Sequence, residues 1–309
     1  MLNIVLRVLA AMIFASQIQA ETVLQDTQGA YFSANVPQRI ATLNWDIAEQ
    51  LIELETTPIA MPDVAGYRTW VVNPRAEQSI QDIGRREEPN LLRLAQLKPD
   101  LIIIATSQQH LLASLEKIAP VMLLDTYSAT HHNAQAAIDN FMTIAKLLNK
   151  TDLAEHKLAA MNTRFSVLSE QLKKAYGEPL PKISAFRFAS LTSVYLYGGN
   201  STVEYVLQRL GFEAAMPKPD TQWGVTQIRL NDLQHVGEGI ALYFEPFDQQ
   251  KKLAQSIIWQ AMPFVRNGRI NSVSAVWNYG GAMSLGYSAE ALATSLLAIA
   301  PNKGACEDD

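Results

Sequence analysis

Residues 91–104 read LLRLAQLKPDLIII, and residues 229–244 read RLNDLQHVGEGIALYF. Each stretch has apolar residues at helical spacing, then a connector containing Pro or Gly, and then an apolar run of strand length. An unbroken apolar run is typical of a strand that is buried on both faces, as in a parallel sheet covered by helices. The pattern predicts α/β structure, and its presence in both halves of the chain predicts two similar lobes.

The same alternation continues on either side of both motifs. In the first half, strands are predicted at residues 39–43, 57–62, 101–106 and 121–125, and helices at 46–54, 90–97 and 111–118. In the second half, strands are predicted at 182–188, 193–198, 240–244 and 269–273, and a helix at 202–210. We expect each half to form a largely parallel sheet with helices packed on it.

A long helical stretch separates the halves. NAQAAIDNFMTIAKLLNK (133–150) has apolar residues at helical spacing without Gly or Pro, and the pattern continues to residue 176. We predict an N-terminal lobe over residues 21–132, a bridging helix over 133–152, a C-terminal lobe over 153–301 and a tail over 302–309.

The first 20 residues, MLNIVLRVLAAMIFASQIQA, have the features of a cleaved signal peptide. Arg7 precedes an apolar stretch that is too short to span a membrane, and Ala20 offers a small residue for cleavage. Cleavage would change the formal net charge from −5 to −6, and an acidic surface disfavours nucleic acid as a partner. The only cysteine, Cys306, excludes internal disulfides and an N-terminal lipid anchor. We expect a periplasmic protein that is not embedded in a membrane.

Catalytic motifs are absent from the sequence. The chain has no P-loop, no H-E-x-x-H and no G-x-S-x-G. The adjacent His131 and His132 indicate a solvated loop rather than a metal site. The sequence therefore predicts a protein that is not an enzyme and that has no metal site or cofactor of its own.

Aromatic residues, in contrast, occur where loops are expected. Four of the five tryptophans lie outside apolar runs, and a tyrosine accompanies the last of them: Trp45, Trp70, Trp223, Trp277 and Tyr279. In α/β folds ligands collect at the carboxyl ends of strands, where loops converge. For any single loop tryptophan, packing beneath its own loop is the better explanation. Four such tryptophans together favour an aromatic cleft between the two lobes. The fifth, Trp259, has apolar neighbours and is expected in a core.

Five stretches together carry a resemblance to a known family: PQRIATLNW (37–45), GYRTWVVNP (66–74), IGRREEPNLLRLAQLKPDLII (83–103), TQWG (221–224) and WQAMPFVRNGRINSVSAVWNYG (259–280). In these stretches the chain resembles class III periplasmic substrate-binding proteins, and within them those that bind ferric hydroxamate siderophores such as ferrichrome. The resemblance implies two α/β lobes joined by one long bridging helix, with the ligand in a shallow cleft between them. It also implies a monomer that delivers an iron(III)–siderophore complex to an inner-membrane ABC permease with a separate ATPase.

The resemblance also implies roles for individual residues. The arginine of the family's G-x-R-x-E-P-N loop falls on Arg86, which would donate hydrogen bonds to the iron-bound hydroxamate oxygens. The family's loop tryptophans fall on Trp70, Trp223 and Trp277, with Tyr279 and Trp45 nearby. A family tyrosine falls on Gln108, which can form hydrogen bonds but has no phenol ring, so the preferred siderophore stays open.

Docking on the permease uses a surface acid on each lobe in this class. The usual acid of the first lobe falls on Leu92 here. Glu87 or Glu88 could replace it, with Glu204 or Asp232 on the second lobe. The alternative, which is favoured for each residue taken singly, is that Glu88 stabilises the helix start through its dipole and that Glu87 is solvated.

Two alternatives stay open at the level of the sequence. The same scaffold could hold haem, cobalamin or a ferric citrate-type ligand, and His110 is the candidate axial ligand for haem. A catecholate complex would call for several Lys or Arg in the cleft, whereas Arg86, with Arg85 as a possible second cation, stands among tryptophans. A periplasmic enzyme that processes siderophores is the second alternative.

Overall fold

The structure of the protein is a computed structural model that describes residues 22–26, 29–33 and 35–301. The strands are β1 (Thr22–Asp26), β2 (Gly29–Ser33), β3 (Ile40–Thr42), β4 (Ala60–Met61), β5 (Gln81–Asp82), β6 (Leu101–Ala105), β7 (Val121–Leu124), β8 (Ile183–Phe188), β9 (Ser193–Tyr197), β10 (Val225–Arg229), β11 (Ile240–Phe244) and β12 (Ile270–Val273). The helices are α1 (Trp45–Glu53), α2 (Val64–Trp70), α3 (Leu91–Gln96), α4 (Leu112–Leu115), α5 (Asn133–Leu147), α6 (Thr151–Tyr176), α7 (Thr202–Arg209), α8 (Gln250–Ala254), α9 (Ile257–Ala261), α10 (Pro263–Arg266) and α11 (Ala282–Ala298). Residues 106–111 and 230–236 form 3₁₀ turns.

The first lobe contains a parallel sheet of five strands in the order β5-β4-β3-β6-β7. Its strand β6 is buried along its whole length, and its side chains join separate hydrophobic clusters on the two faces of the sheet. The LIIIA run is unbroken because both of its faces are covered by helices.

The second lobe contains five strands in the order β10-β9-β8-β11-β12. Strands β8, β11 and β12 are parallel, as predicted, but β9 and β10 pair antiparallel to their neighbours. Only residues 189–192 connect β8 to β9, which is too short for a crossover helix and forces a hairpin. The predicted arrangement of two α/β lobes is confirmed, although the sheet of the second lobe is mixed and not fully parallel.

The predicted bridging helix is divided in the structure. Helix α5 ends at Leu147 and α6 begins at Thr151, with Asn149 between them in the left-handed region at φ 54°. The predicted segment 133–152 therefore covers all of α5 and the first two residues of α6. The limits proposed for the lobes stay predictions.

Helix α11, which the sequence analysis did not identify, packs against α6, α5, α7 and α1. Together these helices close one hydrophobic cluster that reaches from Ile40 of β3 in the first lobe to Leu242 of β11 in the second. The lobes thus share a core on the side where their helices meet.

Polar contacts reinforce this junction. The Glu49 carboxyl group on α1 accepts hydrogen bonds from the backbone N–H groups of Gly281 and Ser284, both at 3.1 Å, and so caps the N-terminus of α11. Tyr127, after β7, donates its hydroxyl to the Gly280 carbonyl at 3.0 Å. One turn further along α1, Glu53 accepts hydrogen bonds from the Lys157 ammonium and the Tyr287 hydroxyl.

The predicted signal peptide (1–20) and the predicted tail (302–309), which contains Cys306, lie outside the described residues. Within the described ranges, no helix combines the length and the apolar character needed to cross a lipid bilayer.

Candidate functional site

Two adjoining cavities lie between the lobes, with volumes of about 720 Å³ and about 420 Å³. They share four residues of their lining: Arg86, Arg187, Trp277 and Tyr279. Two other lining residues lie just beyond strands: Leu43 directly follows β3, and Ser107 is the second residue after β6. The cleft therefore lies at the carboxyl ends of the strands, where α/β folds place ligands, and its volume suits a small organic molecule.

Arg86 reaches the cleft from a closed loop after the edge strand β5. Gly84, at φ 95°, allows the chain to turn, and it forms a bridge with Pro89 that closes the loop. The Asp82 carboxylate accepts a hydrogen bond from the Gly84 N–H at 2.8 Å and fixes the turn. The Arg86 guanidinium lies 4.0 Å above the centre of the Trp45 ring. This cation–π contact holds it at the cleft beside an aromatic wall.

Trp45 differs from the expectation based on sequence. Only 2% of the residue is exposed, and it belongs to a hydrophobic cluster with Tyr67 and Val64. Its indole N–H donates a hydrogen bond to the Pro62 carbonyl at 3.0 Å. The expectation that this tryptophan would not be a core residue is wrong, because Trp45 begins α1 and turns inward. It nevertheless lines the smaller cavity and supports Arg86 from below.

The other aromatic residues form a continuous series across the cleft. Trp45 of the first lobe lies 5.3 Å from Trp277 of the second, measured between ring centres, and Trp277 lies 5.6 Å from Tyr279. Tyr279 meets Trp223 edge-on at 6.0 Å, and Trp223 stacks on Tyr127 of the first lobe at 5.5 Å. The structure thus brings four of the five predicted rings, those of Trp45, Trp223, Trp277 and Tyr279, together into one wall.

Two tryptophans remain largely exposed in this arrangement. Trp223 is 45% exposed and lines the larger cavity, while Trp70, at the end of α2, is 47% exposed and lines the smaller one. Exposed rings at a concave surface are available to a ligand with an apolar scaffold. Trp259 is 8% exposed within a separate cluster, as expected of a core residue.

Gln108 lines the larger cavity, but its side-chain amide is occupied by the protein. Its Nε2 donates a hydrogen bond to the Leu43 carbonyl at 2.6 Å, and its Oε1 accepts one from the Ala105 N–H at 3.2 Å. The residue is 8% exposed. Gln108 therefore ties together the carboxyl ends of β3 and β6 and has little capacity left for a ligand.

The structure adds functional candidates that the sequence analysis missed: Asp46, Tyr127, Arg187 and Tyr195. Tyr127 follows strand β7, so the rule that selected the tryptophans could have found it. Arg187 was detectable as a cation in the apolar strand ISAFRF. Asp46 is 3% exposed, and burial raises the pKa of its carboxyl to about 7 although the backbone N–H of Ile47 acts in the opposite direction.

The acids predicted to dock on a permease lie in different environments. Glu87 lines the rim of the larger cavity, 4.0 Å from Arg85, and Glu88 is exposed. Glu204 is half-buried, and burial raises the pKa of its carboxyl. Asp232 is paired with Arg229, whose side-chain hydrogen bond lowers the pKa of the Asp232 carboxyl. Their role in docking stays a prediction.

His110, the candidate axial ligand, is exposed and contributes to the lining of the larger cavity. Across the part of the chain that the structure describes, no group of three or more His, Cys, Asp or Glu side chains is arranged to hold a metal ion. The cleft offers guanidinium groups and aromatic rings instead.

Comparison with known proteins identifies the relatives of this chain. The profile of the periplasmic binding protein family matches residues 40–275. The iron(3+)-hydroxamate-binding protein FhuD of Escherichia coli is 30% identical over 258 residues, which are 82% of this chain and 86% of that protein. The Fe(3+)-citrate-binding protein YfmC of Bacillus subtilis is 27% identical over 262 residues, which are 82% of this chain and 79% of that protein.

A solved structure is also similar at the level of both sequence and fold. The siderophore-binding protein FhuD of Vibrio cholerae, determined with Fe3+–Desferal bound, is 52% identical with a TM-score of 0.83. The match covers 85% of this chain and 99% of that one. These relatives are binding proteins by name.

Proposed function

The chain belongs to the periplasmic binding protein family, and on that premise we propose that it is the substrate-binding component of an ABC importer for iron. In this proposal the protein binds a ferric hydroxamate siderophore and delivers it to an inner-membrane permease, while a separate ATPase supplies the energy. The proposed location is the periplasm, and the proposed functional unit is a monomer.

One observation carries the proposal: a guanidinium lies within an aromatic wall to which both lobes contribute. The iron of a tris-hydroxamate complex is already coordinated by six oxygens, so the protein does not need to supply metal ligands. Such a complex is nearly neutral and has a partly apolar scaffold, which rings such as Trp223 and Trp70 can cover. Its iron-bound oxygens carry partial negative charge, and Arg86 can donate hydrogen bonds to them.

The test is a titration of the purified protein, with tryptophan fluorescence as the signal. Ferrichrome and ferrioxamine B should quench the fluorescence at saturation, because Trp45, Trp223 and Trp277 would lie beside a ferric chromophore. Ferric citrate, haem and cobalamin serve as competing ligands, and each siderophore without iron serves as its own control. If haem or cobalamin bound while both hydroxamates failed, the proposed ligand class would be wrong.

The same samples separate binding from catalysis. Bound siderophore recovered after prolonged incubation should be chemically unchanged and still hold its iron. Continuous cleavage of the ligand, or turnover of iron release beyond one equivalent per protein, would support the enzyme alternative instead.

A further inference from the structure

Arg187 lies at the carboxyl end of β8, the central strand of the second sheet. Its cross-strand partner on β9 is Tyr195, and the Arg187 guanidinium carbon lies 4.2 Å from the centre of the Tyr195 ring. Residues that are paired across two strands project from the same face of the sheet. The Tyr195 ring therefore supports the Arg187 guanidinium at the cleft, where Arg187 lines both cavities.

The Arg187 guanidinium has no carboxylate partner among the described residues. Its Nε is buried and makes no hydrogen bond. A guanidinium that is partly removed from water without a counter-ion is unfavourable in the empty protein, and a bound anion would compensate for that cost. The planar donor group suits a carboxylate, which it can bind through two parallel hydrogen bonds.

The acids that line the cleft do not neutralise Arg187. The Asp63 carboxylate accepts a hydrogen bond from the Gly66 N–H at the start of α2, and Glu87 lies beside Arg85. Glu245, beyond the end of β11, is exposed and forms no ion pair in the described structure. The fourth, Asp46, is buried beneath the cleft, and burial favours its uncharged form.

Arg187 and Arg86 give the cleft one guanidinium on each lobe, and each lies over an aromatic ring. A neutral tris-hydroxamate complex requires hydrogen-bond donors at its iron-bound oxygens, which Arg86 supplies in the proposed function. A second cation without a counter-ion is complementary to a further negative charge on the ligand.

We infer, on the basis of the proposed function, that Arg187 is a specificity-determining residue that binds a carboxylate on the organic scaffold of the ferric hydroxamate. The protein accordingly prefers hydroxamate chelates that carry a free carboxylate over neutral chelates with the same iron centre.

A matched pair of ligands tests this inference. Ferrioxamine B has one terminal amine outside its iron centre, and acylation of that amine with acetate gives a neutral chelate, whereas acylation with succinate gives one with a carboxylate. Wild-type protein should bind the succinyl form roughly 10- to 100-fold more tightly than the acetyl form, as expected for a charge-assisted pair. The ratio should fall as salt is raised, because the pair is partly exposed.

Variants assign the preference to the residue. Arg187→Gln should abolish the preference, so that the succinyl form loses about 10- to 100-fold more affinity than the acetyl form does. Arg187→Lys should restore part of the preference, because it returns the charge without the planar fork. Arg209→Gln is the matched control, since Arg209 also lies over a tyrosine ring, that of Tyr205, but outside both cavities. This control should keep the wild-type ratio.

Each other outcome counts against the inference. Equal affinity of the wild type for the two chelates, or a preference that survives in Arg187→Gln, would overturn it while leaving the proposed function intact. An equal loss of both chelates in a folded Arg187→Gln variant would make Arg187 a general ligand residue and would also overturn it. If neither chelate bound the wild type, the proposed function would fall and the inference with it. If the variant did not fold, a wild-type ratio insensitive to salt would decide against the inference.

Discussion

At the scale of single residues, two adjacent arginines have different environments. The side chain of Arg85 is 81% exposed and lies beside Glu87, whereas Arg86 lies over Trp45 and lines both cavities. The composition of the sequence alone could not show which of these two neighbouring arginines lies at the cleft. The closed Gly84–Pro89 loop directs only the second of them to the cleft.

Replacement of Arg86 by Ala should weaken the binding of ferrichrome or ferrioxamine B by about 1–3 kcal/mol, because a charge-assisted hydrogen bond to the iron-bound oxygens is lost. Dissociation constants from fluorescence titration measure the effect. The neighbouring Arg85→Ala is the control and should leave the affinity unchanged. Equal effects of the two substitutions would remove the special role of Arg86.

Asp46 makes the stability of the protein dependent on pH. Its carboxyl has a pKa of about 7 in the folded protein against 3.8 for an exposed side chain, so the folded state binds more protons between these values. Unfolding then becomes easier as pH rises, and Glu49, whose pKa burial raises to about 8, acts with the same sign. Each carboxyl accounts for about 2 kcal/mol over these two pH units, so the free energy of unfolding in urea should fall by about 2–5 kcal/mol from pH 5 to pH 7. Asp46→Asn should flatten this slope, and a slope unchanged in the variant would contradict the assignment.

At the scale of elements, α1 and α11 begin side by side although they are more than 230 residues apart in the chain. Glu49 on α1 serves as the cap of α11, whose own N-cap position is Gly281 and has no side chain to offer. The start of α11 thus depends on the other lobe.

Glu49→Ala should lower the free energy of unfolding by about 1–3 kcal/mol, because the N–H groups of Gly281 and Ser284 lose their acceptors in a buried setting. Urea denaturation monitored by circular dichroism measures the change. Glu290→Ala is the matched control on α11: it breaks the partly exposed ion pair with Arg164 and should cost at most about 1 kcal/mol. A Glu49 variant as stable as the control would refute the capping role.

Elements with strong local signals could be predicted from the sequence, and elements defined by distant partners could not. The LIIIA and IALYF runs correspond to β6 and β11. Both strands were recognisable because an unbroken apolar run is typical of a strand that is buried on both faces. Helix α11 was missed because most of its residues are buried and Glu290 is its only charged residue. The antiparallel direction of β9 follows from the short connection between β8 and β9, and not from the composition of the strand.

The same distinction holds for the cleft. Loop tryptophans were visible as aromatic residues outside apolar runs, and the structure gathers them at one surface. Arg187 was detectable as a cation in an apolar strand. Its placement at the cleft could not be predicted, because it depends on pairing with Tyr195 across a hairpin. The intramolecular hydrogen bonds of Gln108 join two strands that are far apart in the sequence, so they too required the structure.

At the scale of the whole molecule, the lobes are connected by more than a linker. One hydrophobic cluster contains residues of both lobes, and Asn133 at the start of α5 donates hydrogen bonds to the carbonyls of Asn200 and Gln222 in the second lobe. A hinge motion that opened the cleft widely would have to break these buried contacts together.

The protein should therefore change little in overall shape when it binds its ligand. The radius of gyration from small-angle X-ray scattering should differ by less than about 1 Å between the empty and the loaded protein. A closure in which the two lobes rotate about a flexible hinge would give a clear decrease in the radius of gyration and would contradict this expectation. Measurement of the loaded state with excess ferrioxamine B ensures saturation.

The hairpin of β8 and β9 has a consequence for how this protein can diversify. Trp45 and Trp277 serve both the ligand wall and the packing between lobes, so substitutions there would be subject to two kinds of selection at once. Arg187 and Tyr195 line the cleft from a hairpin and lie outside the shared core. Substitutions at these two positions can therefore change the preferred chelate with little loss of stability. We expect homologous proteins with different ligands to differ in sequence at these positions first.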